Sequence, residues 1–423
     1  MKALGLCTDL YELTMAQSYL QHGRTSRAVF SLFVRKLPAN RNFLVSCGLE
    51  TLLEYLERFR FGDEELRYLR SLGKFRDSFL DYLREYRFSS NVYAIPEGRI
   101  IFQNEPIVQI EGPLPEVQIV ETLVINTIHF QTVVASKAVR SYLVSGGRSL
   151  VDFGFRRAHG LEAGIYAARA SYIAGFDGTS NLEAGRRWGI PVFGTMAHSY
   201  IMIFDSEDEA FRSFAQTYPE GSVFLLDTYD TIEAAHLTAK LVKEGIRVVG
   251  VRLDSGDIPL LATRVREILD SQGLRDVKII VSGGVDEYSI EEWISRGVPA
   301  DAFGVGTKFI TSADAPYLDM AYKLVEYEGK PKVKKSPGKA TFPNLRQVRR
   351  FYSGIVMDHD ETFRWGEAPE EGEELVVKVL EGGRLKTKIP SLSEIRELLM
   401  EELKRLPPRM SGLRKENYEV IIK

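Results

Sequence analysis

Seven short apolar runs in the middle of the chain each end in residues able to do chemistry. SLVDFGF (149–155) leads to Asp152 and Arg156, and SYIAGFDG (171–178) to Asp177 and Ser180. PVFGTMAH (191–198) brings Thr195 and His198, and SVFLLDTYD (222–230) brings Asp227 and Asp230. RVVGVRLDSGD (247–257) carries Arg252, Asp254 and Asp257. KIIVSGG (278–284) ends in Ser282, Gly283 and Gly284, and DAFGVGT (301–307) in Gly306 and Thr307, followed by Lys308. One aspartate or glycine at such a place is most simply a turn former. Seven ends in a row point instead to a rim where guanidinium, carboxylate, hydroxyl and imidazole groups converge. The two glycine-rich ends suit the close approach of backbone N–H groups to a phosphate, although glycines at positive φ in ordinary turns explain each of them alone. Thr307 and Lys308 beside them favour phosphate. The run KVKKSPGK, with Lys335 and Lys339, reads either as further charge for a polyphosphate or as a solvated basic face. His198 has no carboxylate at helical spacing and no HExxH, which argues against a histidine metal site. No GxSxG and no cysteine at a strand end offers an acyl-transfer nucleophile.

The elements that must position these residues follow from the pattern. Most of the seven runs are β-branched and apolar with little alternation, as strands buried on both faces are. Each is followed by a helical stretch, and alternation of this kind builds a parallel sheet. Seven units in succession predict a closed or nearly closed (β/α) barrel, with an open doubly wound sheet as the other solution. Ahead of them, DLYELTMAQSYLQH predicts a helix over 9–22, 28–34 and 43–46 read as strands, and helices fit 48–59, 63–71 and 74–86. Three short strands follow over 91–112, then a long apolar helix over 116–144. After residue 320 come a hairpin, further antiparallel strands, and a helix opened by a Ser391/Glu394 capping box. The expected organisation is 1–115 as the N-terminal part of a flanking α+β domain, 116–317 as the barrel, and 318–423 packing with the first segment.

The whole-chain composition narrows the partners. Of 423 residues, 44% are hydrophobic and 27% charged, an ordinary balance for a soluble protein of two or three domains. With 55 Lys and Arg against 58 Asp and Glu, the net charge is −3, which argues against nucleic acid as the main partner. Two cysteines, Cys7 and Cys47, exclude a disulfide scaffold and a four-cysteine zinc site. The longest uncharged stretch, 122–136, is too short and too polar to span a bilayer. A cytoplasmic protein without membrane partners is expected.

The ordered set DFGFRRAHG, GFDGTSN, GTMAHSY, LDTYDT, VRLDSGD and FGVGTK, with TDLYELTMAQSY and FVRKLPANRNFLVSCGLE before it, resembles the nicotinate phosphoribosyltransferase family from about residue 8 to 345. The resemblance implies an irregular α/β barrel of the type II phosphoribosyltransferase kind with a flanking α+β domain. It implies that nicotinate and phosphoribosyl pyrophosphate (PRPP) give nicotinate mononucleotide and pyrophosphate, in an ATP-dependent ligase reaction coupled through a phosphohistidine. By motif that histidine is His198. Nicotinate contacts carry over to Tyr11, Thr195 and Arg252, and a phosphoribosyl contact to Thr307. From the related nicotinamide enzymes, Phe153 and Arg156 correspond to a ring-stacking aromatic and an arginine. The chemistry agrees: a flat ring bearing a carboxylate needs aromatic faces and paired hydrogen bonds from guanidinium.

Asp254 and Asp227 suit the ribose hydroxyls and the positive charge that develops at C1. Ser282, Gly283, Gly284, Gly306, Thr307, Lys308, Lys335 and Lys339 are the phosphate candidates. Mg²⁺ is expected to be held mainly by pyrophosphate, with no metal site of the protein's own. The nicotinamide relatives have Asp where Ser180 stands and Glu where Ala197 stands, which favours the acid as substrate here. In the family Tyr11 is donated by a neighbouring subunit. A homodimer or higher oligomer with a shared site is therefore expected, Arg35 lying in the segment that completes the partner's site. The rivals are a nicotinamide or quinolinate phosphoribosyltransferase, a sugar-phosphate barrel enzyme with a Schiff-base lysine, and a regulatory barrel that senses PRPP without turnover.

Overall fold

A computed structural model describes residues 4–334 and 342–423. The chain divides into two units: 137–316, and a second built from 4–136 with 317–423. Among the described residues no helix is long and apolar enough to cross a membrane.

Unit 137–316 contains a curled parallel sheet of six strands. Its order in space runs Gly178–Thr179, Ser149–Asp152, Ala302–Val305, Lys278–Val281, Val248–Leu253, Ser222–Leu225. Every pairing is parallel, with helices between successive strands, so all the strand ends that follow the chain direction face one way. Val151, Phe224, Val251, Ile279, Val281, Phe303 and Val305 are buried, the composition that a sheet covered on both faces demands.

The sequence-predicted α/β class holds, and two of the seven runs differ from expectation. Residues 171–173 are the last turn of the helix Leu161–Ile173, and only Gly178–Thr179 pairs as strand. Asp177 lies at the start of the sheet, accepting from Ser149 Oγ at 2.7 Å. The run 191–198 makes a single bridge, Thr179 to Val192, and then passes through a largely exposed loop into the helix His198–Met202. His198 therefore opens a helix; it does not end a buried strand. Gly194 weakens a strand by propensity, and Pro191 supplies no backbone donor to a ladder. Among the described residues no ladder joins the Val192 side to the Ser222–Leu225 edge.

In the other unit, Arg27–Val34 pairs antiparallel with both Val108–Pro113 and Met320–Tyr327, so segments distant in sequence share one sheet. The helix predicted over 116–144 is two helices, Leu114–Ile119 and Glu121–Val144, interrupted at Val120. The Ser391/Glu394 capping box is present at the head of Leu392–Lys404. That helix is tied to the strands Arg346–Ser353 and Val356–Arg364 by a buried ion network. Arg350 donates to Asp360 at 2.7 Å and to Glu402 at 2.8 Å, with all three side chains almost wholly inaccessible. A buried guanidinium survives only with such compensation.

Candidate functional site

The rim of the parallel sheet encloses a cavity of about 600 Å³, formed entirely within unit 137–316. Its residues arrive loop by loop, because consecutive strands deliver their ends to the same side.

The Ser149–Asp152 strand runs into Phe153 and a single 3₁₀ turn, Phe155–Arg157. Phe153 and both arginines, Arg156 and Arg157, line the cavity. Arg156 Nη1 donates to the Phe153 carbonyl at 3.3 Å; the Arg157 backbone N–H donates to the Gly154 carbonyl at 2.8 Å, and its guanidinium has no partner among the described residues. The Phe153 ring rests on Gly304, where a Cβ would overlap it. Gly304 is thus required by a close approach and not by a turn. Gly304→Ala is expected to push the ring out of place at a cost of about 1–3 kcal/mol. Thermal or denaturant unfolding of the variant checks it.

Ser180 follows Gly178–Thr179 onto the wall, and the loop after Val192 contributes Thr195 and Met196. Arg252 reaches across from the Val248–Leu253 strand and donates through Nη2 to the Met196 carbonyl at 3.1 Å. Its Nε is buried without a partner. Burial pulls its pKa down, against the opposing pull of Asp254 and Asp227; an arginine stays charged at any ordinary pH all the same. Three guanidinium groups therefore border one cavity whose lining holds a single carboxylate, Asp254. Such a surplus favours an anion.

Asp254 and Asp227 are neighbours at adjacent strand ends. Asp227 Oδ2 accepts from the Asp254 backbone N–H at 3.2 Å and from the Ser255 hydroxyl. Ser282 Oγ donates to Asp254 Oδ1. Asp227 Oδ1 is buried with no partner. Two further carboxylates read at the rim are helix caps: Asp230 accepts from the N–H groups of Ile232 and Glu233, and Asp257 from that of Leu260. Among the described residues no cluster of three or more His, Cys, Asp or Glu side chains is arranged to hold a metal ion.

The two glycine loops meet here as well. Gly283 and Gly284 have φ of 82° and 70°, and a Cβ on Gly283 would overlap the Asp254 carbonyl. Gly306 precedes the short helix Thr307–Ile310, and Thr307 lines the cavity. Lys308 does not. Its Nζ donates to Asp286 Oδ2 at 2.6 Å, which links the two loops and holds the Asp286 carboxyl below its usual pKa against the opposing effect of burial.

His198 opens its helix at the cavity wall. Nδ1 lies 3.1 Å from Thr228 Oγ1, and Nε2 has no partner among the described residues. Thr228 escaped the sequence reading, although it sits beside Asp227 in LDTYD. Arg157 escaped it too; the second arginine of DFGFRR was its signal. Gly304 had only the weak signal of a glycine inside a strand.

Tyr11 and Arg35 belong to the other unit. Tyr11 is 46% exposed, and its hydroxyl is hydrogen-bonded to Glu121; burial and that carboxylate raise its pKa. Arg35 pairs with Asp319 at 2.8 Å. Lys335 and Lys339 lie outside the described residues.

With this geometry in place, comparison with known proteins is specific. The family model described as the nicotinate phosphoribosyltransferase N-terminal domain matches residues 6–129, and the nicotinate phosphoribosyltransferase family model matches 148–353. A nicotinate phosphoribosyltransferase of Mycobacterium tuberculosis is 46% identical over 98% of this chain and 90% of its own. One from Bacillus subtilis is 41% identical over 82% of this chain and 73% of its own. The crystal structure of human nicotinic acid phosphoribosyltransferase superposes with a TM-score of 0.89 at 28% identity, covering 98% of this chain and 97% of that one.

Proposed function

Since the chain belongs to the nicotinate phosphoribosyltransferase family and joins nicotinate to PRPP, we propose that the cavity at the strand ends is where the two react. One observation carries the assignment: an aromatic face, three guanidinium groups and two glycine loops border a single cavity.

The nicotinate ring lies against Phe153, and Arg252 and Arg156 hold its carboxylate. Thr195 and Ser180 complete that wall. Ser180 and Ala197 offer no negative charge to repel the acid, whereas a carboxylate at either place would. The pyridine nitrogen is unprotonated at neutral pH and needs no base. Its lone pair forms the bond to C1 of the ribose as the C1–O bond to pyrophosphate breaks, and the pyrophosphate leaves with the bonding pair. Asp254 and Asp227 favour the positive charge that develops at C1 and hold ribose hydroxyls. The N–H groups around Gly283, Gly284 and Gly306, with the Thr307 hydroxyl, receive phosphate oxygens.

Asp227 Oδ1, buried and unpartnered beside Asp254, is an oxygen donor of the kind Mg²⁺ takes, and Asp254, which lines the cavity, is another. Pyrophosphate oxygens would supply most of the ion's ligands. When bound, Mg²⁺ neutralises charge on the leaving group.

ATP enters through His198. An Nε2 lone pair that no described protein group occupies attacks the γ-phosphorus, an N–P bond forms, and the Pγ–O bond to ADP breaks. Water later hydrolyses the N–P bond. The phosphorylated state binds PRPP more tightly, which couples the two reactions as an ATP-dependent ligase. The curled sheet is read as an irregular barrel in which the 191–198 segment stands in for a strand, the remaining segments forming the flanking α+β domain of a cytoplasmic enzyme.

The active unit is a homodimer whose sites receive Tyr11 and the segment around Arg35 from the second copy. Support for this comes from Tyr11, an exposed aromatic whose hydroxyl Glu121 tethers. Mixing inactive Tyr11→Ala and Arg252→Ala subunits is expected to restore activity, since one of the two sites in a hybrid carries neither change; no recovery after subunit exchange overturns the shared site. The central test follows pyridine nucleotide formed from nicotinate, nicotinamide or quinolinate with PRPP and Mg²⁺, with and without ATP. Nicotinate is expected to be the preferred ring, ATP raising turnover. Equal use of nicotinamide would remove the role given to Ser180 and Ala197.

A further inference from the structure

Asp152 takes no part in the chemistry above, yet it is the most deeply placed carboxylate of the site. It is 0% exposed and stands at the end of its strand, one residue before Phe153. Oδ1 accepts from the Gly154 N–H at 2.7 Å, and Oδ2 accepts from Thr179 Oγ1 at 2.7 Å. Its backbone carbonyl accepts from the Ser180 N–H at 2.8 Å. Thr179 is itself fully buried, and its hydroxyl also accepts from the Asn181 N–H at 3.0 Å. The two carboxylate oxygens thus hold two different segments. One fixes the backbone between Phe153 and Arg156. The other fixes the segment that presents Ser180.

Neither hydrogen-bond partner is a cation. A buried carboxylate without one is costly, and burial raises the Asp152 pKa to about 6. The sign of the stability effect follows. Between the ordinary aspartate range and about pH 6 the folded chain holds a proton that the unfolded chain has lost. Stability contributed by this group therefore falls as pH rises through that window, and above it the ionised group lowers stability. For holding the fold alone, an uncharged residue of the same shape would serve better. A charge kept in such a place is characteristic of a functional site.

We propose that Asp152 is a positioning residue whose buried carboxylate clamps the Phe153–Arg156 segment to the Thr179–Ser180 segment, so that the ring face, the carboxylate grip and the acid-selecting wall form one rigid nicotinate subsite. The inference rests on the placement of nicotinate given above. Asparagine at 152 keeps the shape but has one acceptor oxygen, so it cannot serve both donors as the carboxylate does.

The test is steady-state kinetics of Asp152→Asn in the full chain with nicotinate, nicotinamide and PRPP varied in turn, alongside thermal unfolding at pH 8. The expected result is a rise in the nicotinate KM of about ten- to a hundredfold, as a small misplacement of a binding wall produces. The PRPP KM is little changed, the preference for acid over amide shrinks, and Tm is not lowered. Thr179→Val removes the other half of the clamp without touching the carboxylate. It is expected to shift the nicotinate KM the same way, the double variant being no worse than the poorer single one.

An unchanged nicotinate KM in both variants overturns the proposal. So does a fall in Tm with both substrates weakened in parallel, which marks a merely structural residue. Phe153→Ala separates this from failure of the subsite reading. If it leaves the nicotinate KM unchanged, the subsite lies elsewhere; if it raises that KM while Asp152→Asn does not, only the clamp falls.

Discussion

His198→Asn is expected to abolish ATP hydrolysis and ATP stimulation together, while a slow ATP-independent transfer from PRPP to nicotinate persists. The reason is local. His198 opens the helix His198–Met202 at the cavity wall, and among the described residues only Nδ1 has a hydrogen-bond partner, the Thr228 hydroxyl at 3.1 Å. Asparagine can keep a contact to Thr228 and the start of the helix, but it offers no nucleophilic nitrogen. Loss of a nucleophile leaves binding and charge stabilisation in place, so the residual reaction reports what the rest of the site does alone. A histidine serving only to hold the fold would lower Tm and every activity in proportion. Acid-labile, base-stable label from γ-³²P-ATP, present in the unaltered protein and absent from the variant, is the decisive measurement. Label surviving in His198→Asn would move the phosphoryl acceptor elsewhere and leave the transferase reading intact.

Arg252→Ala is expected to weaken nicotinate far more than PRPP. The Arg252 side chain is half-buried; among the described residues it donates through Nη2 to the Met196 carbonyl, and its Nε is buried without a partner. A carboxylate gripped by this guanidinium would gain a charge-assisted pair in a desolvated cavity. Losing such a pair costs about 2–5 kcal/mol, or roughly thirty- to several-thousandfold in kcat/KM. Arg252→Lys separates charge from geometry, because an ammonium keeps the charge without the planar fork. It is expected to recover only part of the loss. Nicotinamide, lacking the carboxylate, should be nearly indifferent to both changes. An unchanged nicotinate KM in Arg252→Ala would take the carboxylate away from this residue.

Much of this site was legible because local rules wrote it. Buried parallel strands need unbroken apolar runs, and polar side chains at or just past their ends are readable by position, as Asp152, Arg252, Asp254, Ser282 and Thr307 were. The capping box at Ser391 and Glu394 was readable for the same reason: both of its hydrogen bonds close within one turn. The run 191–198 was harder. PVFGTMAH has the composition of a strand, but its pairing depends on an edge elsewhere in the chain, and only Val192 finds one. The run 171–178 failed likewise, since its apolar residues serve the last turn of a helix packed on the sheet.

Other features were decided by tertiary contact alone. Lys308 beside a glycine loop suits phosphate by its charge, yet Asp286, 22 residues earlier, stands 2.6 Å from its amine and takes it. Asp230 and Asp257 look like rim carboxylates until the helices behind them claim their oxygens as caps. Gly304 shows why it has no side chain only when Phe153, from a strand about 150 residues away in sequence, lies across it. Asp152 declares its burial through Thr179, a partner on the neighbouring strand. Sequence by itself determined which residue types reach the rim and in what order, because periodicity and caps are properties of neighbouring residues. Which of those groups are already hydrogen-bonded or crowded was settled only by the fold, because a hydrogen bond or a close approach needs a partner that the chain brings from far away.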